Sequence, residues 1–548
     1  MATTEPRARQ WAVLAVSALL AAGCAAAAPP AAPSAGPVSG GTLVYAVARE
    51  PDCLDPHVSP ADITGEIQRN AFDSLVAQRP DGGFAPWLAR SWEVAPDGRA
   101  YTFHLREDVR FVDGERFDAE AVRANFEHIA APETKSQYAV SLLGPYAGTD
   151  VLDAGTVRVR FHQPYVPFLQ AASTSYLGFY SPRALREHGD ELCAGGPHAV
   201  GSGPFREVSA VKGQGVEFVR NDAYRWAPAT AAHQGPAHLE RLSVRVLPED
   251  AVRTGALGSG QVDVAAALPP TEIAFVAQDP ALAVLKHAAP GQPYTYFFNT
   301  ARQPFADPRA RQAVRAAIDL DGIVAGVYFG QYDRAHSPLS PPTFGYDPGT
   351  ETRRNYDPAL ANRLLDELGY TGRDAQGYRT RDGQRFTVVH PWSANLVRDQ
   401  QDLVSQAVHQ ELRKVGIDLV LRPVDSGTYL TERNAGRYDL IGFSWARADP
   451  DLLSTIYASG SQFADGGANG SRIHDPEIDA LLAEGRGAVD PGRRAQAYHR
   501  VQQRILDETY ALPVHTSTQA YGYRATVHGL ALDANSWTTF YDTWVEPA

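Results

Sequence analysis

Cysteine and methionine are scarce in this 548-residue chain: three cysteines, and Met1 as the only methionine. So few thiols with no clustered histidines leave no thiolate zinc site. The sixteen histidines are scattered without metal-ligand spacing, so no metal site and no cofactor is expected. No block of Lys and Arg occurs, and the formal charge is -13 at pH 7. Such a chain is poorly suited to holding nucleic acid or an anionic membrane through its own field. Neither a heptad nor a solenoid repeat is visible. A Gly-x-Ser-x-Gly elbow and a His-Glu-x-x-His helix are both missing, so nothing recommends an enzyme. Beyond the N-terminus no segment is long and apolar enough to span a bilayer. The excess of Arg over Lys reads as GC-rich codon usage.

What is present is ordinary globular composition, 44% hydrophobic and 21% charged, in a length of three or four domain-sized units. Arg7 and Arg9 precede the apolar run Trp11 to Ala22, which is shorter than the roughly 20 residues that span a membrane. Residues 1–23 are therefore expected to be a signal peptide. Leu19 to Cys24 resembles a bacterial lipobox, with Ala21 where leucine is usual, so Cys24 is the expected lipidation site. A plain secretory signal with an incidental cysteine is the alternative. The Ala/Pro/Ser/Gly tract that follows cannot bury enough surface to fold, so residues 24–40 read as a flexible tether. Cys53 and Cys193 remain, and outside the cell a lone pair is a candidate disulfide, with two buried free thiols as the alternative.

Along the body, Ser91 to Val94 and Tyr101 to Leu105 alternate by two around Pro96-Asp97-Gly98, a hairpin signal. Gly201-Ser202-Gly203-Pro204 lacks the Gly-Lys-Ser/Thr ending of a phosphate loop, so it reads as a place where two backbones cross. From Tyr294 onward helices and strands alternate. Asp307-Pro308, Asp357-Pro358, Asp475-Pro476 and Asp490-Pro491 each put a capping Asp before a proline at the first helical position. Tyr438 to Ser444 is an apolar run that reads as a strand and ends in Trp445, Ala446, Arg447, Ala448 and Asp449. In open α/β sheets ligands sit at strand ends. Trp and Tyr give a pocket stiff walls with a polar edge, and Arg offers two parallel hydrogen bonds to a carboxylate. Ser444, Trp445, Ala446, Arg447 and Asp449, with Tyr176, Trp392 and Tyr296, are the candidate ligand-binding residues. An acid/base pair of Asp449 and Asp451 is the weaker reading, since Pro450 between them suits a rigid loop.

An ordered series of motifs now becomes informative. It includes Leu54-Asp55-Pro56, Pro86 to Val94, Tyr101 to Arg106, Asp113-Gly114, Val200 to Phe205, Phe298-Asn299-Thr300, Asp449-Pro450-Asp451 and Asp475 to Asp479. The series resembles family 5 of the ABC-importer solute-binding proteins, the large class for peptides and nickel, across nearly the whole chain. That resemblance implies a type II periplasmic-binding-protein-like α/β fold of two lobes. Residues 41–293 would form lobe one, with a β-rich subdomain at about 80–198. Residues 294–513 would form lobe two, and 514–548 would return to lobe one. A small or peptide-like ligand would be enclosed between the lobes and handed to an ABC permease with its ATPase subunits. The protein would act as a monomer on the outer face of the bacterial cytoplasmic membrane, held only by its lipid. In peptide-binding members an Asp four residues before the loop proline pairs with the ligand ammonium. Here that position is Ala446, with Arg447 beside it, which turns the expectation toward an anionic solute. A secreted hydrolase and a ligand-sensing receptor on the same fold remain as alternatives.

Overall fold

A computed structural model describes residues 36–547. The readings of the signal segment, Cys24 and most of the tether fall outside that range. Residues 36–40 carry no helix or strand.

The first lobe is organised on a seven-stranded mixed sheet. Thr42–Val47 lies inside it because Leu43, Tyr45 and Val47 are all buried. This strand pairs in parallel with Arg241–Val246 on one side and with Val264–Ala265 on the other. Gly215–Arg220 and Phe205–Val211 extend the sheet in antiparallel fashion beyond Arg241–Val246. At the opposite edge Thr518–Arg524 joins Val264–Ala265 to Leu282–Ala288. The late strand Thr518–Arg524 thus sits within the sheet that Thr42–Val47 begins.

A four-stranded antiparallel sheet stands apart, in the order Ala89–Val94, Ala100–Leu105, Thr156–Phe161, Tyr146–Asp153. Its alternation is direct: Tyr101, Phe103 and Leu105 are buried while the residues between them are partly exposed. Ala95 and Gly98 close the first hairpin with a 2.8 Å backbone hydrogen bond, as its Pro-Asp-Gly sequence signals. Gly201 and Gly203 press on the backbone of Ala71, and a Cβ at either would overlap its carbonyl group. The glycine-rich loop is a crossing of two chain segments, and a strand rather than a helix follows it. Cys53 and Cys193 form a disulfide with Cα atoms 4.4 Å apart.

The second lobe has a three-stranded sheet ordered Leu440–Ala446, Gly291–Phe298, Ala511–His515, flanked by helices. All four Asp-Pro junctions cap as their sequence predicts. Asp307, Asp357, Asp475 and Asp490 accept backbone N–H groups of the first turn, each with proline beginning the helix. The strand expected over 438–444 runs instead from Leu440 to Ala446. Antiparallel pairing begins at Leu440 opposite Phe298, while the preceding Asp439 spends its carboxylate on the Val389 N–H.

Two segments link the sheets. Leu282–Ala288 passes into Gly291–Phe298, and Ala511–His515 passes into Thr518–Arg524. The crossings run together, with Ala289 N–H donating to Ser517 C=O at 2.8 Å. Gly291 lies at one crossing with φ +97°, and a Cβ there would collide with the Trp445 carbonyl. Among the described residues no helix is long and apolar enough to cross a membrane.

Candidate ligand-binding cleft

Between the lobes lies a cavity of about 630 Å³. Lobe one supplies the end of its first strand and the start of the helix Asp62–Gln68. Lobe two supplies residues 395–400 and the end of Leu440–Ala446. The crossings contribute Pro290, Gln292, Ser517 and Thr518, so the cleft opens onto the segments that join the lobes.

Its walls carry charge of both signs. Arg49 and Asp62 come from lobe one, Arg398 and Asp399 from lobe two. Surrounding protein pushes the Arg49 guanidinium down from its ordinary value, and the cation of Arg398 pushes it the same way. The Asp62 carboxyl is raised by desolvation, against the pull of Arg398 and Arg49. Asp399 is raised by the same cause, against Arg398, a hydrogen bond from Tyr332 and Arg49. Both guanidinia keep access to water through the cleft. Among the described residues neither Arg49 nor Arg398 has a carboxylate within 4 Å. Arg253, also on the lining, is different. Its buried guanidinium is saturated by the carbonyls of Ala266, Ala267 and Leu247 and by Asp250 at 2.6 Å. That arginine is structural.

Asp399 and Gln400 both adopt left-handed backbone, φ 48° and 55°, immediately before the helix Gln401–Val415. Non-glycine residues there cost free energy and cluster at ligand-handling sites. Tyr328 OH holds the turn by donating to the Asp399 carbonyl at 2.7 Å. Glu66 is fixed on the opposite side by Tyr45 OH at 2.6 Å and Thr538 Oγ1 at 2.7 Å. Burial raises its carboxyl, and those hydrogen bonds offset part of the rise.

A smaller cavity of about 230 Å³ adjoins the cleft in lobe two, and Val397 lines both. Tyr294, Trp392, Leu396, Leu421 and Tyr429 give it mostly apolar walls. Gly442 lines this pocket and Ser444 the main cleft, two residues apart on one face of the same strand.

The chain's relationships match this architecture. The family model for bacterial extracellular solute-binding proteins, family 5 (middle region), matches residues 83–467. The chain belongs to family 5. Family 5 members are extracytoplasmic proteins that bind a small ligand or peptide and work with an ABC permease. One relative is a probable D,D-dipeptide-binding periplasmic protein, DdpA of Escherichia coli K12. It is 25% identical over 479 residues, covering 85% of this chain and 86% of that protein. Among solved family 5-like structures, NikA from Brucella suis in complex with Fe(III)-EDTA superposes with a TM-score of 0.81. It is 26% identical and covers 92% of this chain and 100% of its own. AgaA from A. tumefaciens R10 in complex with agropinic acid gives 0.75 at 25% identity, covering 93% and 99%.

Within this family 5 chain the residues singled out from sequence divide into layers. Ser444, Trp445 and Ala446 line the cleft, and Trp392 lines the adjoining pocket. Tyr296 is buried behind that pocket, its hydroxyl 2.8 Å from Ser405 Oγ. Tyr176 is buried too. Its OH donates to the Ala61 carbonyl at 2.7 Å, and its ring packs behind the cleft residues Tyr138 and Trp537. Arg447 lies below the lining at 5% exposure, amid the fields of Tyr138, Tyr165, Asp449 and Asp451. Its Nε and Nη2 find no hydrogen-bond partner. Asp449 is held bidentately by buried Arg494 at 2.7 and 2.9 Å. Asp451 accepts from Ser454 Oγ and Tyr498 OH and pairs with Arg486. The two aspartates are thus anchors of the loop that carries the wall.

Sequence reading missed Arg49, Asp62, Arg398 and Asp399. They sit in ordinary-looking polar stretches, and only the fold brings positions about 350 residues apart together. The one local hint was Arg398-Asp399-Gln400 ahead of a helix, a charged pair where a single capping residue would do.

Proposed function

We propose that this protein is the lipid-anchored capture component of an ABC importer, taking a peptide-like or other small solute with an anionic group into the interlobe cleft. The observation that carries this reading is the pair Arg49 and Arg398. Two guanidinia on opposite walls, with no ion-pair partner among the described residues, repel each other across water. An anion placed between them turns that repulsion into two charge-assisted hydrogen bonds. The closed arrangement then gains differential affinity for ligand, which is the thermodynamic requirement for a capture-and-close mechanism. Asp62 and Asp399 on the same walls offer carboxylates to an ammonium as well, so a zwitterion fits. The neighbouring aromatic pocket offers room for an apolar substituent. Crystallised relatives holding Fe(III)-EDTA and agropinic acid support a cleft for solutes that bear acid groups.

In this reading the ligand leaves unchanged. Arg447 acts by positioning: from beneath the wall its cation bears on Tyr138, which lines the cleft. The test is mass spectrometry of the small molecule released by denaturing the purified protein, followed by titration of that molecule. A carboxylate or other acid group is expected, and Arg49→Ala or Arg398→Ala is expected to weaken binding at least tenfold, the scale of a charged hydrogen bond of about 1.5–3 kcal/mol. A neutral or purely cationic ligand, or affinities unchanged in both variants, refutes it.

A further inference from the structure

Away from the cleft, a second group of polar side chains converges on the surface of lobe one. His188 ends the helix Pro182–His188, Glu191 lies in the 3₁₀ helix Gly189–Ala194, and His198 closes the next 3₁₀ turn, Gly196–His198. One carboxylate oxygen, Glu191 Oε2, stands 3.2 Å from His198 Nε2 and 3.7 Å from His188 Nδ1. The imidazole centroids are 3.9 Å apart, with 34° between the planes. All three donor atoms lie within 4.8 Å of one another.

Those separations have a chemical meaning. Nitrogen and oxygen ligands bind zinc at about 2.0–2.1 Å in a tetrahedron, which places ligand atoms roughly 3.3–3.4 Å apart. The two separations from Glu191 Oε2 bracket that edge. A His–Glu ion pair needs one imidazole; here two share one carboxylate oxygen, with their tilted rings side by side. Two imidazoles and one carboxylate form a borderline donor set, suited to zinc or nickel rather than to calcium or magnesium. The side chains are 31%, 60% and 40% exposed for His188, Glu191 and His198, so an ion could enter and water could complete its shell.

The framework beneath is rigid. Cys193, two residues after Glu191, is bonded to Cys53, and its carbonyl accepts from Leu54 N–H at 2.9 Å. Gly195 and Gly196 turn the chain in left-handed conformation, and Gly196 N–H is held by the buried carboxylate of Glu207. Val200 C=O accepts from Ser181 N–H at 2.8 Å, tying the segment after His198 to the start of the helix that carries His188. The donors are therefore presented from a closed ring of chain, which lowers the ordering cost of binding an ion.

We propose that His188, Glu191 and His198 form a divalent transition-metal site of the zinc or nickel type on the surface of lobe one, independent of the interlobe cleft. The bound ion would tie the helix Pro182–His188 to the turn Gly196–His198, adding a second cross-link beside the disulfide. The spacing of two and six intervening residues matches no standard motif, which is why the sequence conceals it. The experiment uses untagged protein stripped with chelator and titrated calorimetrically with zinc chloride alone. One equivalent is expected to bind and to raise the melting temperature. His188→Ala, His198→Ala and Glu191→Gln should each weaken that event at least about tenfold, while the exposed-surface control His162→Ala and the cleft variant Arg49→Ala should keep it. Circular dichroism verifies that each variant is folded. No zinc uptake by the parent protein, or uptake that survives in His188→Ala and His198→Ala, overturns the proposal.

Discussion

Replacing Asp449 by alanine tests whether the wall of the cleft is supported as described. Asp449 and Arg494 are 5% and 9% exposed at the side chain, joined by hydrogen bonds of 2.7 and 2.9 Å. The guanidinium also lies 5.6 Å from the Phe344 ring centre and 5.5 Å from that of Tyr498, and its Nε donates to the Gly485 carbonyl. Removing the carboxylate strands a cation that water cannot reach. Breaking one side of such a buried pair costs about 3–5 kcal/mol. For a lobe of roughly 200 residues each kcal/mol lowers the melting temperature by about 2–4 °C, so a fall of about 6–20 °C is expected in the transition of lobe two. Differential scanning calorimetry reads it. The double variant Asp449→Leu with Arg494→Met removes both charges and should recover much of the loss, because an apolar pair of similar volume needs no compensation. If Asp449 were instead a ligand contact, the single variant would lose affinity and keep its melting temperature. A shift within about 2 °C would refute the supporting role.

Two further outcomes are expected. Burial holds His57 and His390 at about 4 and His515 at about 3. Unfolded histidine titrates near 6.5, so the unfolded chain takes up more protons between those values. Their stabilising contribution is complete above pH 6.5 and declines as the pH falls toward 4. Burial raises Asp73 and Glu207 to about 7, which works in the opposite direction as the pH rises from about 4 to 7. The comparison that isolates the imidazoles is His390→Asn, which should lose less stability than the parent between pH 7 and pH 5 in urea titrations; equal losses would contradict it. At the other end of the chain, Cys24→Ala should move the protein from the membrane fraction to the soluble fraction, and retention on membranes would exclude the lipid anchor.

Much of the scaffold was legible because its signals are local. An aspartate before a proline fixes a helix start through one hydrogen bond and one dihedral angle, and all four such junctions behave accordingly. Gly201 and Gly203 were readable as a backbone crossing because nothing in that loop could hold phosphate. The strand ending in Ser444, Trp445 and Ala446 was readable as a cleft wall because its apolar run stops abruptly. Depth was not readable. Arg447 and Asp449 have the chemistry of ligand contacts, yet both lie just past the end of the strand, and the partners Tyr138, Tyr165 and Arg494 draw them one layer inward. Conversely, Arg49 looks like any surface arginine until lobe two brings Arg398 opposite it. Charge recognition built from two distant segments leaves no local pattern.

The placement of Thr518–Arg524 has a consequence for biogenesis. Leu282–Ala288 is joined to its sheet only through that late strand. During synthesis the first lobe therefore cannot complete itself until Thr518–Arg524 has emerged, more than 200 residues after Leu282–Ala288. Such long-range pairing is slow and must wait for its partner. A chain that postpones closure in this way gains the finished sheet of its first lobe only after the strand Thr518–Arg524 has arrived.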